Sequence, residues 1–123
     1  MLTIYHNPRC SKSRGALELA TTFAERHGFD LQVVDYQKTP PTRAQLVELH
    51  RLLQSESVVS VRDMVRDGET AFTELQLAEA DDDTLLDALA AHPGLLQRPI
   101  VCFNERAVIA RPPELVERIL QAG

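Results

Sequence analysis

The hydrophobic positions of this chain change period several times, and each change marks an element. Leu2-Thr3-Ile4-Tyr5 is a short apolar run that predicts a strand. From about Lys12 to His27 the apolar residues Ala16, Leu17, Ala20 and Phe23 return at helical spacing, with Ser11 in front as the expected N-cap. Gly28 then stops the helix as a C′ glycine does. Leu31-Gln32-Val33-Val34-Asp35-Tyr36 is short and rich in strand formers, so it predicts a second strand. Strand, helix and strand in this order suit a right-handed parallel crossover.

Thr39-Pro40-Pro41-Thr42 breaks the pattern, and Thr42 is placed to cap a helix over about Arg43 to Leu53. A short helix is expected from Ser60 to Arg66, a turn at Asp67-Gly68, and a helix from about Asp82 to Ala91, ended by His92-Pro93-Gly94. Residues 42–95 thus read as all helical. The chain returns to β at Pro99-Ile100-Val101-Cys102-Phe103, turns at Asn104-Glu105 and pairs back through Ala107-Val108-Ile109-Ala110. Pro112-Pro113 opens a last helix to about Gln121. The order predicts an α/β fold of the thioredoxin-like β-α-β…β-β-α type, with a helical insertion at about 42–95, in one domain over 1–123. Pro99 suits the cis-proline that such folds set beside the active cysteine; an ordinary trans proline starting a strand is the alternative.

Composition is that of a globular chain, 44% hydrophobic and 25% charged over 123 residues. Apolar runs fall short of the ~20 residues of a membrane span, and no secretory signal pattern is seen. Two cysteines give neither a disulfide framework nor a four-ligand zinc site, so a reducing cytoplasm is expected. A net charge of −5 argues against binding nucleic acid or an anionic membrane, and no metal spacing is evident. Eleven of the 13 basic residues are arginine. Codon preference accounts for that, or some arginines serve as planar forks for an oxyanion.

The most telling stretch is Tyr5-His6-Asn7-Pro8-Arg9-Cys10-Ser11-Lys12-Ser13-Arg14. A cysteine where a strand ends and a helix begins meets free N–H donors and a positive dipole end, which favour the thiolate. His6 can stabilise that thiolate, take its proton or simply hold the loop. Asn7 is expected to tie the loop down, and Ser13 to donate its hydroxyl to the sulfur or serve as a first-turn serine. Arg14 can add field or pair with an acid. Cys102, in mid-strand, reads as a core residue, with a resolving thiol as the rival; Ser13 stands where a Cys-x-x-Cys motif would have its second cysteine.

His6-Asn7-Pro8-Arg9-Cys10-Ser11-Lys12-Ser13-Arg14, Thr39-Pro40-Pro41-Thr42, Val61-Arg62-Asp63-Met64-Val65-Arg66, Glu74-Leu75-Gln76-Leu77, Leu96-Gln97-Arg98-Pro99-Ile100-Val101 and Arg111-Pro112-Pro113-Glu114 together resemble the ArsC family, the arsenate reductases coupled to glutathione and glutaredoxin and their relatives. The likeness runs along the whole chain and is nearest to the short type. It implies a catalytic Cys10, with Arg66, Arg98 and Arg111 holding the oxyanion. It implies a reaction in which the Cys10 thiolate attacks arsenate, glutathione attacks the adduct and glutaredoxin removes the glutathione. No bound cofactor is implied, glutathione being a co-substrate, and a monomer is expected. Two rivals share the fold: a thiol oxidoreductase acting on another substrate, and an Spx-like regulator that binds RNA polymerase.

Overall fold

A computed structural model of the chain describes residues 2–55, 60–110 and 113–120. Its elements are β1 (Leu2–His6), α1 (Ser11–His27), β2 (Leu31–Asp35), α2 (Arg43–Leu53), α3 (Thr70–Glu74), α4 (Asp82–Ala91), β3 (Ile100–Phe103), β4 (Arg106–Ile109) and α5 (Val116–Leu120). Among the described residues the strands form one four-stranded sheet in the order β2-β1-β3-β4. β1 runs parallel to β2 and antiparallel to β3, which is antiparallel to β4. This is the thioredoxin-like α/β arrangement read from the element order.

Side-chain alternation along each strand divides the core into two layers. Leu2 and Ile4 of β1, with Val101 and Phe103 of β3, pack against Ala16, Ala20 and Ala24 of α1 and Val116 and Ile119 of α5. The three alanines recur every four residues, so α1 presents a narrow small-residue stripe to the sheet. Ile100, on the opposite face, joins Tyr36, Leu46, Leu49, Leu53, Met64 and the leucines of α4. His6 shares the parity of Leu2 and Ile4, which turns it toward the first turn of α1.

The helix ends follow the sequence closely. Gly28 takes a left-handed conformation, φ 72°, and donates to the Ala24 carbonyl. Thr42 and Gln45 form a reciprocal capping box at α2, and Asp81 accepts from Thr84 N–H at α4. The Asn104-Glu105 turn has positive φ at both residues, 51° and 62°, without a glycine.

Three expectations change. Cys10 itself, not Ser11, occupies the N-cap of α1. The helix expected over Ser60–Arg66 is a single 3-10 turn, Val61–Met64, after which Val65 is extended and pairs with Leu96. Segments 64–66 and 95–97 zip together: Arg66 N–H donates to Leu95 C=O at 2.7 Å and Gln97 N–H to Met64 C=O at 2.8 Å. The insert is therefore not wholly helical, because a tertiary partner satisfies this backbone in place of a helix. It also holds α3, which the apolar pattern did not mark. The last helix begins with a 3-10 turn at Pro113–Leu115; Arg111, Pro112 and Gln121 lie outside the described residues.

Candidate active site

Chain direction brings the site together at the C-terminal end of β1. The strand delivers His6, the loop turns at Asn7-Pro8-Arg9, and Cys10 opens α1. Asn7 ties this turn at two points: its carbonyl accepts from Cys10 N–H at 3.0 Å, and its side-chain oxygen from Arg9 N–H at 3.0 Å. Arg14, one turn into the helix, donates to the Pro8 carbonyl at 2.9 Å, so its role here is to pin the loop.

Cys10 is half-buried. Burial alone would raise its thiol. The backbone N–H groups of Ser13 and Lys12, together with the Arg98 guanidinium beside the sulfur, outweigh that and hold it below the ordinary thiol value. As the N-cap, Cys10 lies next to first-turn donors that lack intrahelical partners, although its side chain makes no capping hydrogen bond.

Ser13 is fully buried. Its hydroxyl stands 2.6 Å from His6 Nδ1 and accepts from Asn7 N–H at 2.9 Å. The sequence leaves this hydroxyl as a donor to the sulfur or a plain first-turn serine; in the structure it braces the loop through His6 and Asn7. His6 is buried, and burial pushes its imidazole below the ordinary value, against the upward pull of Asp35 opposite it on β2. Its Nδ1 is engaged by Ser13, an arrangement that holds the loop.

On the facing side, the Arg98-Pro99 bond is cis and Pro99 is buried. The Arg98 guanidinium stands beside the Cys10 sulfur. The paired segments 64–66 and 95–97 bring Arg66 alongside Arg98, 32 residues away in sequence. Glu69 lies against both: its carboxylate accepts from Arg66 Nη1 at 2.6 Å and stands 4.0 Å from Arg98 Nη1. Arg62, on the same segment, is turned away and clamps the insert by donating to the Leu77 and Ala80 carbonyls.

Two residues of the site were not singled out from the sequence. Glu69 had a signal, an acid three residues after an arginine. Tyr36 had none beyond its place at the end of a predicted strand. It is wholly buried beneath the site, and among the described residues its hydroxyl has no partner in hydrogen-bond geometry, although Arg98 and Asn7 lie next to it. Burial pushes the phenol up, against the Arg98 guanidinium and Asn7 amide next to it.

Cys102 lies on the other face of the sheet, opposite Thr3 of β1. That is three residues before His6, about 10 Å along the strand. Burial, helped by the Glu48 charge, pushes its thiol up to about 12. It is unsuited to act as a nucleophile or to bridge Cys10. Among the described residues no cluster of His, Cys, Asp or Glu can hold a metal ion, and no helix is long and apolar enough to cross a membrane.

Residues 5–119 match the ArsC family. The chain belongs to that family. An arsenate reductase of Neisseria meningitidis serogroup A is 42% identical over 121 residues, covering 97% of each chain. An arsenate reductase of Escherichia coli K12 is 39% identical over 97% of this chain and 80% of its own length. Among solved structures, an arsenate reductase from Vibrio cholerae superposes with a TM-score of 0.84 at 42% identity over 96% of each chain. ArsC membership covers both halves of the site, the Cys10 loop and the Arg66 and Arg98 segments alike.

Proposed function

We propose that this chain reduces arsenate to arsenite, with Cys10 as nucleophile, Arg66, Arg98 and Arg111 as oxyanion ligands, and glutathione and glutaredoxin as the external thiols. The observation that carries the reading is the placement of Cys10 at the N-cap of α1, next to the first-turn N–H groups and beside the Arg98 guanidinium, with Arg66 tied alongside Arg98. The family relatives named arsenate reductase supply the substrate.

In this scheme the guanidiniums seat the dianion through bidentate charge-assisted bonds and offset the charge that builds up during attack. The Cys10 thiolate forms an S–As bond as one oxygen leaves as water. Glutathione condenses with the adduct and releases a second water. A glutaredoxin thiolate then attacks the glutathione sulfur. The As–S electron pair stays on arsenic, which falls from As(V) to As(III), and a mixed disulfide departs. Water hydrolyses the remaining Cys10–As bond, freeing arsenite and the thiol. Phosphate competes at the seat but does not pass the redox step.

The need for outside thiols follows from Cys102, which faces away. The rim of the site suits them: Pro8, Arg9, Ser11 and Lys12 around the sulfur are all exposed. A cytoplasmic setting provides such thiols. The test is a coupled assay with purified protein, glutathione and glutaredoxin. Arsenate should be reduced by the wild type, not by Cys10→Ser, and largely still by Cys102→Ser. Equal losses in the two variants, or no arsenate reduction by the wild type, would defeat the reading.

A further inference from the structure

The cationic seat is not empty of negative charge. Cys10, Arg98, Glu69 and Arg66 stand in a row of alternating sign, with the Arg98 guanidinium between the sulfur and the carboxylate, and the carboxylate between the two guanidiniums. We infer that Glu69 is a resident counter-anion of the Arg66–Arg98 seat, which the incoming oxyanion must displace; the inference rests on the oxyanion reading above.

Three observations carry it. First, Glu69 at the N-cap of α3 makes no capping bond with its side chain, which is given over to Arg66. Second, one oxygen, Oε1, faces both guanidiniums, at 2.6 Å from Arg66 Nη1 and 4.0 Å from Arg98 Nη1. An oxyanion held by both forks needs that same space. Third, Glu69 is the most exposed of the three, at 39% against 26% and 15% for Arg66 and Arg98. A carboxylate at the mouth can swing into water, while the arginines are held from behind by the paired segments 64–66 and 95–97.

Two guanidiniums against one thiolate and one carboxylate leave this row formally neutral. A weakly charged or neutral ligand gains little by entering, because it leaves a carboxylate in place. A tetrahedral dianion offers more charge and more acceptor oxygens than the carboxylate it replaces. Glu69 therefore sets a threshold that favours dianions over singly charged anions.

The test compares wild type and Glu69→Gln, which keeps the volume and an acceptor oxygen for Arg66. Dissociation constants for arsenate, phosphate and acetate are measured by calorimetry on the whole chain, and the Cys10 thiolate is titrated by ultraviolet absorbance. In Glu69→Gln, arsenate and phosphate should bind about three- to tenfold more tightly, as loss of a partly exposed competing carboxylate implies. Acetate should gain at least as much, so the preference for dianions narrows. Cys10 should titrate lower, because Arg98 no longer shares its charge. Unchanged or weaker anion binding, with Cys10 titrating as before, would show that Glu69 merely orients Arg66 and would overturn the inference. Binding of arsenate and phosphate by neither protein would remove the seat itself, and the inference with it.

Discussion

Val65 and Leu96 pair as an antiparallel bridge, and that pairing is what sets Arg66 beside Arg98. The bonds Arg66 N–H to Leu95 C=O and Gln97 N–H to Met64 C=O flank the bridge. Each arginine thus leaves its backbone within one residue of a fixed ladder. Long flexible side chains gain little from meeting on a mobile surface; here the backbone places them.

The Cys10 thiol should ionise more readily than a free thiol. In a Cys102→Ala background, the rate of alkylation by iodoacetamide should fall as pH drops through a midpoint below the ~8.5 of a free thiol. Arg98→Gln should raise that midpoint, because one of the charges favouring the thiolate is gone. The same depressed value adds stability that is present above the unfolded thiol's pKa and is lost as pH falls through the folded one. A midpoint at or above the free value would contradict the N-cap placement.

Ser13→Ala should cost stability more than it costs thiolate formation. The hydroxyl serves buried His6 Nδ1 and Asn7 N–H, and leaving them unsatisfied should cost about 1–3 kcal/mol by urea denaturation. The backbone N–H of residue 13 survives the substitution, so the Cys10 titration should move little.

Arg98→Lys should weaken oxyanion binding although the charge is kept. The fork geometry is lost. Losing one charge-assisted bond of about 1.5–3 kcal/mol should raise the arsenate dissociation constant by about tenfold or more. Calorimetric titration with arsenate checks this; an unchanged constant would exclude bidentate capture.

Alkaline conditions should destabilise the fold through Cys102. Its folded thiol lies at about 12, above the unfolded value, so stability is full below the unfolded pKa and declines as pH rises above it. The slope for one group is at most about 1.4 kcal/mol per pH unit. Tyr5 and Tyr36, also raised by burial, add to the decline at higher pH. Between pH 8.5 and 10, Cys102→Val should flatten the fall in urea midpoint.

Much of this fold is legible in the sequence because its signals are local. Gly28, Thr42 and Asp81 each mark a helix end through their own backbone or side-chain chemistry. The strands follow from runs such as Ile100-Val101-Cys102-Phe103. The Cys10 loop stands out because strand end, cysteine and helix start fall within ten residues. Legibility failed where the partner is remote. Val65 follows a turn that reads as helix, and only Leu96, 31 residues on, draws it into an extended bridge. Ser13 illustrates the same limit at close range: the sequence leaves its hydroxyl as a donor to the sulfur or a plain first-turn serine, while strand parity brings His6 beneath α1 to meet it. Tyr36 was invisible as a site residue because nothing local says which layer a strand-end tyrosine enters.

The bridged segments give the insert a second meaning. It can look like an ornament hung on the sheet. Yet a chain shorn of residues 42–95 would lose both Arg66 and the leucines that cover one face of the sheet, so the part that looks added is also part of the foundation.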